Sequence, residues 1–215
     1  MSKGTEQIIC KSRTRRNTFL HVAFGVILAV FATQQSVAKL SWAAQERITL
    51  GDILSGDPVP ANDRIAYGEH PLQFGDLRFP DSPGPWPVAV LIHGGCWLDI
   101  ATLQYFDRVA VAITHLGIAT WNIEYRPVDA EGGGWPNTFL DVAQGIDKLR
   151  DIAVDYSLDL DHVITLGHSA GGHLALWAAA RSRIYDDSDL YIPNPLPVTG
   201  VVSLAGIPEL RRYRQ

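Results

Sequence analysis

The chain has 215 residues, 47% of them apolar and 19% charged, with 19 Gly and 13 Pro. That composition excludes a disordered or collagen-like chain and allows one domain with a sizeable core. Eighteen basic against 23 acidic residues give a formal charge of −5, which argues against nucleic acid or anionic lipid as a partner.

At the N-terminus, Lys11, Arg13, Arg15 and Arg16 precede an apolar run from Phe19 to Ala32, interrupted only by His21 and Gly25. Ser36-Val37-Ala38 follows. A positive segment, a short apolar core and an A-x-A-like site predict a secretory signal peptide over residues 1–38, and with it export to the periplasm or the exterior. An uncleaved anchor is the alternative, but a spanning helix needs about 20 apolar residues, more than this run supplies. Cleavage removes five basic residues and Glu6, leaving 13 basic against 22 acidic residues, a formal charge of −9. Cys10 leaves with the signal, so Cys96 has no partner for an intrachain disulfide. No Cys/His spacing suggests a zinc site.

Residues 39–62 read as an exposed lead-in, with Pro58, Pro60, Asn62 and Asp63 marking turns. From there to residue 215 short apolar strands alternate with helical patterns. Leu72 to Phe79 and Val88 to Ile92 read as strands, Leu103 to Leu116 as a helix, and Ile118 to Tyr125 as a strand. Gly132-Gly133-Gly134 breaks the chain, and Pro136 suits the first turn of a helix reaching about Ala153. His162 to Leu166 is a predicted strand, Ser169 to Ala180 a helix, and Val198 to Ala205 the last strand. Continuously apolar strands such as Val88–Ile92 belong in parallel sheets covered on both faces. The expectation is an α/β domain, a doubly wound and mostly parallel sheet with helices on both faces. The working residues of such sheets lie just past the carboxyl ends of the strands.

Two motifs fall there. Gly167-His168-Ser169-Ala170-Gly171-Gly172 lies between a predicted strand and an apolar helix. In a G-x-S-x-G elbow the glycines permit a sharp turn that lifts the serine hydroxyl above the sheet. The following helix N-terminus offers partial positive charge and the Ala170 amide to a developing oxyanion. His93-Gly94-Gly95-Cys96-Trp97 follows the strand Val88–Ile92, 76 positions earlier. A glycine pair there brings backbone amides close to a substrate carbonyl, with Gly95 and Cys96 as the candidate donors. His93 reads as a brace for this loop rather than a base, and Cys96 as a small packing residue rather than a nucleophile.

HGGCW followed by GHSAGGHLALW resembles the α/β-hydrolase superfamily. Within it the chain is most similar to the arylformamidase (kynurenine formamidase)-like and small-acyl serine esterase group. Tyr67-Gly68, His70-Pro71-Leu72-Gln73 and Glu124-Tyr125-Arg126 also fit that group, and the likeness covers about residues 65–205. The resemblance implies a serine nucleophile at Ser169, amides of Gly95, Cys96 and Ala170 as oxyanion donors, a small ester or amide as substrate, and no metal or organic cofactor. A signal peptide suits an exported esterase better than an intracellular formamidase.

The triad of this fold runs Ser, then Asp or Glu, then His. The seven histidines are His21, His70, His93, His115, His162, His168 and His173, and none follows His173. His173 lies one helical turn past Ser169, on a helix the elbow points the serine away from. Asp186, Asp187 and Asp189 precede the last strand and read as a solvated loop. The sequence therefore predicts an incomplete domain over 63–215, ending before the acid and base, with impaired turnover and an uncovered last strand. The competing readings are a prolyl-oligopeptidase-like peptidase and a non-catalytic remnant that binds a ligand or partner through the same pocket.

Overall fold

The computed structural model describes Thr49, residues 51–52 and residues 55–213. The signal peptide expected over 1–38 and most of the expected lead-in lie outside the described residues. No helix among the described residues is long and apolar enough to cross a membrane.

Among the described residues six strands form one sheet: β1 (Asp63–Ala66), β2 (Phe74–Arg78), β3 (Trp86–Ile92), β4 (Ala119–Ile123), β5 (Leu158–His168) and β6 (Gly200–Leu204). Their spatial order is β1-β2-β4-β3-β5-β6. β1, β2 and β4 pair antiparallel in turn, whereas β4, β3, β5 and β6 run parallel. The helices are α1 (Asp107–Thr114), α2 (Asn137–Asp147), α3 (Leu149–Ile152), α4 (Ala170–Ala179) and α5 (Leu210–Tyr213). The mostly parallel α/β architecture expected from the alternating pattern is present.

The continuous apolarity of β3 has a direct structural reading. Its even-numbered residues Val88, Val90 and Ile92 enter one core with Val142 and Ile146 of α2 and Leu174, Ala175 and Ala178 of α4. Its odd-numbered residues Ala89 and Leu91 enter a second core with Phe106 and Ala110. Successive strand residues face opposite sides of a sheet, so a strand buried on both sides must be apolar throughout. That places β3 and its neighbours centrally and leaves their carboxyl ends as one rigid rim.

Three element boundaries differ from the sequence pattern. The helix expected over 103–116 opens as a 3-10 turn, Leu103–Phe106, before α1 begins at Asp107. Asp107 is buried and accepts from Arg78 (2.9 Å) and from the Val59 amide (3.2 Å), so its position answers to the sheet and the lead-in. The helix expected to reach Ala153 divides at Lys148 into α2 and α3. β5 begins four residues earlier than the apolar run suggests. Its polar start, Asp159 to His162, is closed locally by His162 Nδ1 and Asp159 (2.7 Å). β6 is the edge of this sheet, and its Val201, Val202 and Leu204 are exposed at 39%, 39% and 45%.

Candidate active site

Ser169 stands between the last residue of β5 and the first of α4, with φ 53° and ψ −118°. A non-glycine residue held there costs about 1–3 kcal/mol and persists only when its surroundings over-determine it. Here they do. A Cβ on Gly167 would collide with the carbonyl of Gly171, and one on Gly171 with the carbonyls of Ile92 and His93. The turn thus packs backbone against backbone on both sides of the serine. The Ser169 N–H donates to the Leu204 carbonyl (2.9 Å), and the Ser169 carbonyl accepts from His173 N–H (3.1 Å), the first bond of α4.

The loop from His93 to Trp97 leaves the end of β3 beside this turn. A Cβ on Gly94 would stand 2.8 Å from the His168 carbonyl oxygen and 3.3 Å from Ser169 Cβ. Only a residue without a side chain lets the loop lie this close to the serine. Gly95, Cys96 and Trp97 then adopt φ of 113°, 55° and 60°, a run of left-handed residues that curls the backbone back on itself. Leu98 N–H closes the curl onto Gly95 O (2.9 Å), and Val128 N–H ties Trp97 O (2.7 Å). Among the described residues the amides of Gly95, Cys96 and Ala170 make no hydrogen bond. The two motifs therefore meet, with unspent donors on both sides of Ser169.

The histidines near the serine are held by other partners. His93 is 2% exposed; its Nδ1 lies 2.8 Å from the Gly94 carbonyl and its Nε2 2.7 Å from a Glu124 carboxylate oxygen. That is the bracing position expected of it. His168 Nδ1 lies 2.8 Å from the Tyr105 hydroxyl, and the two rings stack at 5.5 Å. His173 Nδ1 donates to the Ile207 carbonyl at 2.7 Å. Among the described residues no side chain hydrogen-bonds the Ser169 hydroxyl. Asp186, Asp187 and Asp189 are exposed in the segment after α4.

Cys96 departs from expectation: it is exposed rather than packed. The left-handed curl carries it to the surface, where its Sγ lies 3.8 Å from the Tyr213 hydroxyl. Sequence reasoning also passed over the groups that hold the loop. The Tyr125 hydroxyl donates to the His93 carbonyl (2.9 Å), and its ring stacks on His93 at 4.4 Å. Burial, with the Glu124 charge adding to it, pushes the Tyr125 phenol far up. A further feature is aromatic. Trp97 meets His173 edge-on (5.6 Å), His173 meets Phe139 (5.9 Å), and Phe139 meets Trp135 (5.5 Å). Trp135 is 64% exposed, so an aromatic strip runs from the glycine loop to the surface. Among the described residues no three His, Cys, Asp or Glu gather as metal ligands do.

The sequence pattern of the BD-FAE family matches residues 76–215, and the chain belongs to that family. It is 32% identical over 117 residues to the esterase LipC of Mycobacterium tuberculosis, covering 54% of this chain and 28% of LipC. It is 30% identical over 112 residues to a probable isoprenylcysteine α-carbonyl methylesterase, ICMEL1, of Arabidopsis thaliana, covering 52% of this chain and 23% of that protein. The chain thus spans about a quarter of the length of these curated relatives. Among solved structures it is similar to a bifunctional GH43-CE protein of Bacteroides eggerthii. That match has a TM-score of 0.57 and 25% identity, and covers 66% of this chain and 20% of the other. The fold is that of the α/β-hydrolases, and the family is one of esterases.

Proposed function

From that membership we propose that the chain carries the nucleophile and the oxyanion site of a serine esterase. Its substrates are carboxylic esters of small acyl groups, with small amides of the arylformamidase type as a second class. One observation carries the reading: the glycine loop lies against Ser169 with Gly94 flush on it, which brings backbone of two separate segments beside the same serine. In this reading Ser169 Oγ adds to the substrate carbonyl. The oxygen that gains charge is taken by the amides of Gly95, Cys96 and Ala170, aided by the N-terminal end of α4. The alcohol leaves, and water then releases the acyl group from Ser169. Preorganised donors of this kind are worth about 10²–10³ in rate each, because they need no reorganisation as charge develops.

An imidazole must accept the Ser169 proton for full activity. His93, His168 and His173 are each engaged elsewhere, so none of them is assigned that role. The oxyanion site and binding alone leave a residual acceleration of about 10³–10⁴ over water that does not need the serine hydroxyl, so attack by Ser169 shows only as a rate above that floor. The test is the hydrolysis of p-nitrophenyl acetate and butyrate by the chain and by its Ser169→Ala variant. A weak rate above that floor, which the substitution lowers to the floor, is the expected result. Equal rates in both proteins would overturn the esterase reading and favour a pocket that binds without turnover. The aromatic strip from Trp97 to Trp135 supports a ring-bearing leaving group, since planar groups stack on such surfaces.

A further inference from the structure

We infer that Glu124 is the positioning residue of this site, a single buried carboxylate that holds the glycine loop and the serine turn in register. The inference rests on the serine-esterase reading above and assigns its mechanical support.

Glu124 follows the last residue of β4 and is 4% exposed. A buried carboxylate is costly unless several donors surround it, and three do. Its Oε1 lies 2.7 Å from His93 Nε2 and accepts from the Tyr125 N–H at 3.1 Å. Its Oε2 accepts from the Leu103 N–H at 2.9 Å. Two of these donors belong to different parts of the site. His93 opens the glycine loop, whose Gly94 lies against Ser169. Leu103 opens the 3-10 turn that carries Tyr105, and the Tyr105 hydroxyl meets His168, the residue before Ser169. Asn122, two residues before Glu124, fixes the same turn from its Nδ2 to the Leu103 carbonyl (2.7 Å). One oxygen of Glu124 thus sets the oxyanion loop, and the other sets the turn that supports the elbow. The carboxylate is buried and both its oxygens are engaged by protein groups, so it acts through geometry. The left-handed run from Gly95 to Trp97 makes this support necessary, because three such residues in succession hold only if something outside the loop fixes it.

The test uses the full chain with Glu124→Leu, Glu124→Gln and Glu124→Asp, read against Ser169→Ala. Amide exchange is followed by mass spectrometry over 93–98 and 167–172, and the Ser169-dependent rate on p-nitrophenyl acetate is split into kcat and KM. A displacement of about 1 Å in such a site costs about 10²-fold. Glu124→Leu is therefore expected to speed exchange in both segments at least tenfold and to lower kcat about 10- to 100-fold, with KM within twofold. Glu124→Gln keeps the shape but sets an NH2 against one of the two backbone donors, so it recovers only part of the losses. Glu124→Asp draws the carboxylate back by one carbon and shows the same pattern in weaker form, which serves if the leucine variant does not fold. Unchanged exchange over 93–98 in the folded variants overturns the inference whatever the serine does. Faster exchange with an unchanged Ser169-dependent kcat overturns it too, since the loop would then be held for stability alone. Failure of the esterase reading itself shows separately, as a Ser169→Ala rate equal to that of the parent.

Discussion

The turn after β5 and the loop after β3 meet at Ser169, yet they are held by different means. The serine turn is fixed by backbone sterics. Gly167 and Gly171 leave no room for a side chain, and Ser169 is pinned by main-chain bonds to Leu204 and His173. The glycine loop is fixed by buried side chains, with His93 clasped between Glu124 and Tyr125. A turn held by sterics is intolerant of added atoms and indifferent to chemistry. A loop held by polar side chains is sensitive to protonation and to single-atom deletions. This difference orders the expected effects of perturbation.

The largest belongs to the turn. Gly171→Ala places a Cβ against two carbonyl oxygens of the rigid end of β3, where neither strand nor helix can yield. We expect a loss of about 3–5 kcal/mol, at the upper end of single substitutions, read as insoluble protein or a sharply lowered urea midpoint. Wild-type-like stability of Gly171→Ala would show that the turn is looser than its contacts state.

The same contrast explains what the sequence disclosed. Sterics are written locally: Gly167, Ser169 and Gly171 stand within five residues, and strand–turn–helix context follows from the neighbouring pattern. The run of apolar residues in β3 likewise announced burial on both faces. Side-chain support is written at a distance. Glu124 lies 31 residues from His93 and Tyr105 lies 63 from His168, separations that no periodicity reveals. A carboxylate directly after the fully buried strand β4 was the available signal for Glu124. The 3-10 opening before α1 escaped because its apolar spacing reads as helix, while its geometry is set by Glu124 and Asn122. Cys96 was placed inside by its residue type, but its φ of 55° turns on Gly94 and Gly95 beside it.

An intermediate effect belongs to the loop and to pH. Burial raises the phenols of Tyr125 and of Tyr67, whose hydroxyl donates to the Glu124 carbonyl. The unfolded chain ionises its tyrosines near pH 10, while the folded chain keeps these two neutral to higher pH. Folded values above unfolded ones mean that the contribution is intact below about pH 10 and is lost as pH climbs past it, by up to about 1.4 kcal/mol per pH unit for each group. The urea midpoint is therefore expected to stay flat from pH 7 to 9 and to fall above 10. Tyr125→Phe should lower the midpoint at pH 8, because it leaves the His93 carbonyl without its donor, and should make the alkaline fall shallower. An alkaline fall of the same steepness in that variant would assign the effect to other tyrosines.

The smallest effect returns to the turn and has the opposite sign. Ser169 carries its strain at φ 53° and ψ −118°, and glycine adopts positive φ without the Cβ penalty. Relief of that strain gains about 1–3 kcal/mol, while glycine's greater freedom in the unfolded chain gives back about 0.5–1 kcal/mol. Ser169→Gly should then be more stable than the parent by about 1 kcal/mol, although it lacks the nucleophile. Ser169→Ala keeps a Cβ in the same backbone conformation and should gain little. Comparing the two variants by urea unfolding isolates the backbone from the loss of the hydroxyl. If alanine stabilised as much as glycine, the gain would come from removing a desolvated hydroxyl. The tightly packed glycines would then be shaping the turn at no energetic cost to the serine.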